Sequence, residues 1–309
     1  FLSNWVRMIP ARDYEPVPLL AEPAIDEPLD LGRSLLRSVS PVHIEYLRNM
    51  GVAASLTLSL IHNGELWGLI ACHHYRSSNH IPFETRAACE TLARLASSQL
   101  GRMSELETRA ARERARKVQS ELEAAMNTQV DLSDGLATGP RTALHLVDCA
   151  GAAMPGEDGE WLRLGISPTN EQVASIAQWL TDQSKPDVFQ TSNLSAEYPE
   201  AESFKDRSSG LLAIRIPKGH LNYVMWFRPE VLQTVTWAGN PDKPVTQASG
   251  SVRLAPRASF EEWKEIVHLT SLPWADWEVD AARALRGSIL AADLQRQYER
   301  EVVARATAE

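Results

Sequence analysis

The sequence predicts an α+β chain of two domains, each an antiparallel sheet flanked by helices, joined by one long helix. Three observations point there. First, Leu56, Leu58 and Leu60 alternate with Ser55, Thr57 and Ser59, and Asn63-Gly64 then leads into an apolar return over residues 65–75. Period-two patterning around an Asn-Gly turn signals an antiparallel hairpin. Second, from Pro82 to about Gln129 the chain has almost no Gly or Pro. Third, Leu211–Ile216 and Tyr223–Phe227 read as strands on either side of Lys218-Gly219-His220, a hairpin turn.

The elements follow in order. Residues 11–32 are rich in Pro, Asp and Glu without periodicity, and read as a surface loop opening with Tyr14-Glu15-Pro16-Val17-Pro18. Residues 33–50 fit a helix. Ser40-Pro41 marks its break or a new start, with Ser40 as N-cap and Pro41 at the first helical position. After the hairpin, Leu92, Leu95, Leu100, Met103, Leu106 and Ala110 keep an uneven three-four spacing. A helix across this breaker-free stretch would be roughly 65–70 Å long at 1.5 Å per residue. That exceeds any single globular core, so the helix bridges domains or pairs with a partner chain. The charge run Arg109–Lys117 reads as a solvated helix face. Residues 130–275 form the second domain. Between Trp237 and Pro256 lies a long stretch rich in Gly, Pro, Ser and Thr, and loops of this length are often functional. Pro256-Arg257-Ala258-Ser259-Phe260 closes it, and reads as a turn before a helix over Glu261–Val267 with Ser259 as N-cap. A last helix begins near Trp274–Trp277 and carries a stripe of Leu285, Ile289 and Ala292.

With 309 residues the chain has room for about two domains. Its formal net charge of −9 gives nucleic-acid binding no electrostatic support. No apolar run approaches the ~20 residues of a membrane span, and no signal peptide is visible. Cys72, Cys89 and Cys149 are odd in number and widely spaced, which argues against a disulfide framework and for a reducing cytoplasm. The first residue is Phe1 rather than Met, so the chain reads as an internal fragment whose first domain is incomplete.

Several side chains carry chemistry. Cys72, His73 and His74 resemble metal ligands, but on a strand only Cys72 and His74 point together, and no second pair completes a four-ligand set. A Cys/His nucleophile pair has no orienting third residue; the plain alternative for His73 is a core histidine. Ser55 and Thr57 share one strand face, which is either solvated or aimed at an anionic ligand group. Arg7 and Arg37 are placed to supply charge to it, since arginine suits bidentate carboxylate recognition. His43 and Tyr46 lie one helical turn apart beside them. Trp237, Trp263, Trp274 and Trp277 cluster in or near the long loop, which implies a loop that docks on a surface.

The run Ser40–Val52, the strand around Cys72-His73-His74 and the motif Pro256–Phe260 occur in the order and separation of a phytochrome photosensory module, and the chain resembles that family over essentially its whole length. The resemblance makes residues 1–84 the C-terminal part of a bilin-binding GAF domain and 85–129 a connecting helix. Residues 130–276 become the PHY domain, with a tongue at about 237–274, and residues 277–309 a signalling helix. It implies a linear tetrapyrrole held by Arg7 and Arg37 at the propionates, with Ser55 and Thr57 beside them. His43 would lie over the pyrrole rings, His73 at the D-ring carbonyl, Tyr46 beside the D-ring, and Ser40 in the pocket wall. In the tongue, Trp237, Arg257, Ser259 and Trp274 would form the switch. Plant and cyanobacterial members attach the bilin through a Cys immediately before the pocket histidine. Here that position is Val42, so the match is to bacteriophytochromes, which use biliverdin attached through a Cys upstream. An Asp-Ile-Pro segment, expected about ten residues before Phe1, would supply the partner of Arg257.

The function this implies is red/far-red light sensing. Isomerisation beside the D-ring would change contacts at His73 and Tyr46, refold the tongue from hairpin to helix, and signal through the long helices to an output domain after Glu309. Such a change biases a bistable element and is not catalysis. The apolar seams of the two long helices imply a homodimer. The competing readings are a GAF-type small-ligand sensor without bilin, an enzyme using Cys72 or His73, and a purely structural dimerisation module.

Overall fold

Pro41 fixes where the first helix begins. A proline drives the residue before it out of the helical region, and Ser40 is extended at ψ 131°. Helix α1 therefore runs only over Pro41–Asn49. The helix expected from residue 33 is shorter than its pattern, and Ser40 stands at the N-cap position without a side-chain capping bond. In this computed structural model, residues 1–20, 29–34, 37–129, 131–156, 160–216, 222–231 and 268–305 are described in full. Strands within 233–267 are described by their backbone alone. The chain divides into two units, one of Phe1–Leu106 with Val235–Glu265, the other of Glu107–Thr234 with Ile266–Glu309.

In the first unit, β1 (Val6–Ile9), β2 (Ala54–His62) and β3 (Glu65–His74) form an antiparallel sheet in the order β1-β2-β3. The β2–β3 turn places Asn63 and Gly64 at φ 52° and 81°, a conformation that Asn and Gly tolerate best. Helix α2 (Phe83–Thr128) covers one face: Val6, Leu56 and Leu58 pack with its Ala93. It approaches so closely that a Cβ on Gly101 would lie 2.3 Å from His62 Nδ1. The other face of β2 is not solvated. Ser55 and Ser59 are buried, and the Ser59 hydroxyl donates to the Phe1 and Asn4 carbonyls at 3.0 and 3.3 Å. Period-two alternation in this strand separates an apolar face from a polar interior face. Beside it, Ile9, Ile44, Leu47 and Val52 seat α1.

Helix α2 passes from the first unit to the second at Leu106 and Glu107. Its charged run is exposed, while Ala111, Ala115 and Val118 face inward. In the second unit a short helix, α3 (Leu132–Ala137), precedes β4 (Gly151–Pro155) and β5 (Trp161–Gly165). Helix α4 (Asn170–Asp182) begins with a reciprocal capping box between Thr169 and Gln172. Then follow β6 (Val188–Thr191), the single-turn α5 (Leu194–Glu197), β7 (Gly210–Arg215) and β8 (Tyr223–Arg228). The five strands lie in the order β5-β4-β8-β7-β6, every pairing antiparallel.

Alternation along β8 builds a core on each side of that sheet. Val224 and Trp226 join Leu122, Met126, Leu285 and Ile289 on one side; Tyr223, Met225 and Phe227 join Val173, Ile176 and Leu180 of α4 on the other. Helix α6 (Asp276–Ala306) supplies Leu285 and Ile289. The stripe expected to form a dimer seam is therefore spent inside this unit's own core, at 0% and 3% exposure. Leu92, Leu95, Met103 and Leu106 of α2 remain exposed. At the start of α6 a buried pair closes the unit: Arg228 Nη2 donates to Glu278 Oε1 at 2.6 Å.

The loop after β8 differs from its sequence reading. It contains β9 (Gln233–Ala238) hydrogen-bonded to β12 (Glu262–Val267), with β10 (Val245–Ala248) and β11 (Ser251–Leu254) paired antiparallel between them. The helix expected over Glu261–Val267 is thus a strand. Its sequence ends in Ile266-Val267, and β-branched residues there favour pairing with β9 over the local capping signal. Among the described residues no helix is long and apolar enough to cross a membrane.

Candidate ligand-binding site

The polar face of the first sheet brings the predicted residues together by register. Directly opposed residues of an antiparallel pair share a face. Arg7 of β1 stands opposite Thr57 of β2, and Ile9 opposite Ser55. Ser55 in turn stands opposite His73 of β3, and Leu56 opposite Cys72. Arg7, Thr57, Ser55 and His73 are therefore on one face, and Cys72 is on the other. Arg37, Ser38, Val39 and Ser40 approach that face from the segment before α1. The result is a cavity of about 340 Å³ lined by Arg7, Arg37, Ser40, His43, Ser55 and Thr57, with Phe1, Asn4, Met8, Ile9, Ser34, Ser38 and Val39. That volume falls in the range of small-molecule pockets, roughly 300–1,000 Å³.

Tyr46 and His73 border this group rather than line the cavity. Tyr46 stacks on His43, with ring centroids 6.0 Å apart and planes 15° apart. His73 meets Tyr75 edge to face at 6.3 Å. The pKa of His43 lies below the ordinary histidine value, first because protein crowds it and then because His73 is near. Although the residue has open surface, the surrounding protein disfavours its charged form.

The cavity is cationic in an acidic chain. Burial, and then the charge of Arg37, hold the pKa of Arg7 below its usual value. Arg7 Nε is buried and has no hydrogen-bond partner. Its guanidinium lies 4.8 Å from the Phe1 ring centre. Among the described residues neither Arg7 nor Arg37 has a carboxylate within 4 Å. Two guanidiniums and two strand hydroxyls around one cavity are groups whose chemistry suits a carboxylate.

The other predicted site residues divide. Arg257 and Ser259 lie outside the described residues, and Trp237 lies on β9, whose backbone alone is described. Trp274, expected on a docking loop, is instead buried in the second unit's core. Its Nε1 donates to the Thr191 carbonyl at 3.2 Å, and the Arg228 guanidinium lies 3.9 Å from its ring centre. Trp277 packs partly buried against the same core. No group of three or more potential metal ligands occurs among the described residues. Cys72 is exposed; burial pushes the Cys149 thiol up to about 12, far from a reactive thiolate.

Sequence reasoning did not identify Phe1, Asn4, Met8, Ile9, Ser34, Ser38 or Val39. Alternation around Arg7 carries the signal for Ile9, because β1 places both on the pocket face. The segment 34–39 has no periodicity that would mark it as a wall.

Comparison with known proteins places these two units. Residues 3–102 match the GAF domain, and residues 115–298 match the phytochrome region named PHY. The chain is 42% identical over 302 residues to cyanobacterial phytochrome B of Nostoc sp., covering 97% of this chain and 40% of that protein. It is 32% identical over 319 residues to a bacteriophytochrome of Pseudomonas aeruginosa, covering 97% and 42%. It thus spans about two fifths of the length of these curated relatives. Among solved structures, the photosensory core module of Stigmatella aurantiaca phytochrome is 44% identical with a TM-score of 0.72, over 95% of this chain and 58% of that one. A bacteriophytochrome of R. palustris is 38% identical with a TM-score of 0.75, over 96% and 59%. The chain belongs to the phytochrome family and comprises its GAF and PHY domains.

Proposed function

We propose that this chain is the light-sensing region of a red/far-red photoreceptor and that its GAF cavity holds a linear tetrapyrrole, biliverdin. The observation that carries this reading is the pair of guanidiniums, Arg7 and Arg37, facing the hydroxyls of Ser55 and Thr57. The buried, unpartnered Nε of Arg7 fits a group that brings carboxylates. Arg7 and Arg37 bind the two acid groups, and Ser55 and Thr57 donate to them. His43, disfavoured as a cation, presents a neutral ring to the pyrroles, with Tyr46 stacked behind it and Ser40 in the wall. His73 donates to or accepts from the ligand at the far edge of the sheet face. When bound, the tetrapyrrole supplies light-driven isomerisation of a double bond. The choice of biliverdin rests on Val42, where a cysteine would attach other bilins, because overall identity is higher to the cyanobacterial relatives than to the Pseudomonas one. Covalent attachment would use a cysteine outside this chain.

The domain bounds we propose are those of the sequence: 1–84, 85–129, 130–276 and 277–309. Strands β9 to β12 are the hairpin form of a tongue, with Trp237, Arg257 and Ser259 as its switching residues. The grouping of Val235–Glu265 with the first unit supports this. Trp274 acts as the tongue's fixed root in the PHY core. A homodimer forms through the exposed Leu92, Leu95, Met103 and Leu106 of α2. The receptor is cytoplasmic and passes its signal to an output module, whose chemistry is not in these residues.

Adding biliverdin to the full-length protein tests the reading. A red absorption band that converts reversibly under red and far-red light is the expected result. A protein that leaves biliverdin free but binds a cyclic nucleotide would instead be a small-ligand sensor of GAF type.

A further inference from the structure

The cavity wall from Arg37 to Ser40 belongs to no strand or helix. Something else must hold it, because Arg37 and His43 can meet a ligand only if this short stretch keeps its place. The Val39 amide, two residues from Arg37 and four from His43, donates to the hydroxyl of Tyr14 at 2.5 Å. The Tyr14 ring packs with Val39 and Tyr46 against Ile9, Ile44, Leu47 and Val52. The chain beside Tyr14 is itself pinned. The Arg12 amide donates to the Ala53 carbonyl at 2.9 Å, and Arg12 Nη1 donates to the Val52 carbonyl at 3.1 Å. The Asp13 carboxylate accepts from Arg12 Nε at 3.2 Å and from Arg48 Nε of α1 at 3.1 Å. Those exposed ion pairs add little. The backbone bonds tie the segment to the residues entering β2.

We propose that Tyr14 is a positioning residue of the binding site. Its ring is anchored on the core between sheet and α1, and its hydroxyl fixes the wall that carries Arg37 and His43. The proposal rests on the ligand reading above, and it concerns a residue that is not itself part of the cavity lining. A binding group must be held within roughly 0.5 Å of its productive place to keep full effect. Tyr14 supplies that constraint from outside the lining.

Tyr14→Phe keeps the ring and removes only the acceptor, so the fold should persist. Site-resolved hydrogen exchange on the ligand-free, full-length protein should show Val39 exchanging roughly twofold to tenfold faster in the variant, the loss expected for one hydrogen bond. Biliverdin should bind roughly threefold to tenfold more weakly and show a displaced red band. In an Arg37→Ala background, Tyr14→Phe should cause a smaller further loss of affinity, because part of its effect passes through Arg37. Unchanged Val39 exchange overturns the proposal. So does faster exchange with unchanged affinity and spectrum, or an affinity loss that persists in full without Arg37. A wild-type protein that takes up no biliverdin sinks the ligand reading instead, and Val39 exchange then decides whether Tyr14 holds the wall.

Discussion

Replacing Glu278 with Ala should destabilise the PHY unit by about 3–5 kcal/mol, the cost of breaking a buried ion pair from one side. The figure is large because both partners are enclosed: the Arg228 side chain is 9% exposed and that of Glu278 is 2%. Surface pairs, at about 0–1 kcal/mol, are the wrong comparison. Glu278 does more than neutralise Arg228. Its Oε1 also accepts from the Asp148 amide at 2.9 Å, and its Oε2 from the Ala275 amide at 2.8 Å. Arg228 meanwhile donates to the carbonyls of Asp148, Leu272 and Pro273 and lies over Trp274. Those carbonyls soften the loss for a stranded guanidinium but do not replace a counter-charge. For a unit of this size the loss corresponds to roughly 6–20 °C in melting temperature, measurable by circular dichroism with chromophore absent. Arg228→Met in the same protein should be at least as harmful, since it leaves Glu278 buried and three carbonyls without donors. A shift under about 3 °C for Glu278→Ala would refute the reasoning that this pair closes the unit.

Three further outcomes are expected. Arg37→Ala should weaken biliverdin binding by about 1.5–3 kcal/mol, or roughly tenfold to a hundredfold, while sparing the dimethyl ester; an equal loss for both ligands would count against a carboxylate contact. Because the folded pKa of His43 lies below its unfolded value of about 6.5, the unfolded chain binds more protons in the window beneath 6.5. The ligand-free protein should therefore lose stability as pH falls through that window, and His43→Gln should lose less. Urea unfolding at pH 7.5 and 5.5 checks this, and identical pH dependence in both proteins would exclude His43 as the source. Finally, Arg257→Ala should leave the PHY core folded and the chromophore attached but shorten the life of the light state. Equal hydrogen exchange over residues 237–274 in darkness and under red light would remove the tongue as the switching element.

The hairpin, the long helix and the order of the two domains were legible because each rests on local chemistry. Asn63-Gly64 can adopt the turn that few other pairs tolerate, and a stretch poor in Gly and Pro stays helical. Errors arose where a local signal met a distant partner. Ser259 read as the N-cap of a helix, yet Glu262–Val267 pairs with a strand that begins at Gln233. The stripe Leu285 and Ile289 read as an outward seam, because periodicity gives a helix an apolar face without saying what covers it. Here the covering is Leu122, Met126 and the β-sheet of the same unit.

The same distinction explains how the cavity was read. Ser55 and Thr57 read as one face because a strand's alternation fixes which residues point together, whereas His73 was singled out only by the family resemblance. Two adjoining strands then carry that face from Arg7 to His73. His43 and Tyr46 were paired because a three-residue helical spacing is visible in sequence, and Ser40 was legible as a helix start, its place in the pocket being implied by the resemblance. Tyr14 was not found, and no pattern could have revealed it. It acts on an amide 25 positions away, from a loop without periodicity, and contributes no lining atom. Its neighbour Arg12 reaches a carbonyl 40 positions away, and Ser59 reaches one 58 away. The strand and helix groups of the lining are thus chosen by local rules, while segment 34–39 and the group that holds it are placed by closure of the chain. A substitution that spares every lining residue, Tyr14→Phe, should therefore still detune the site.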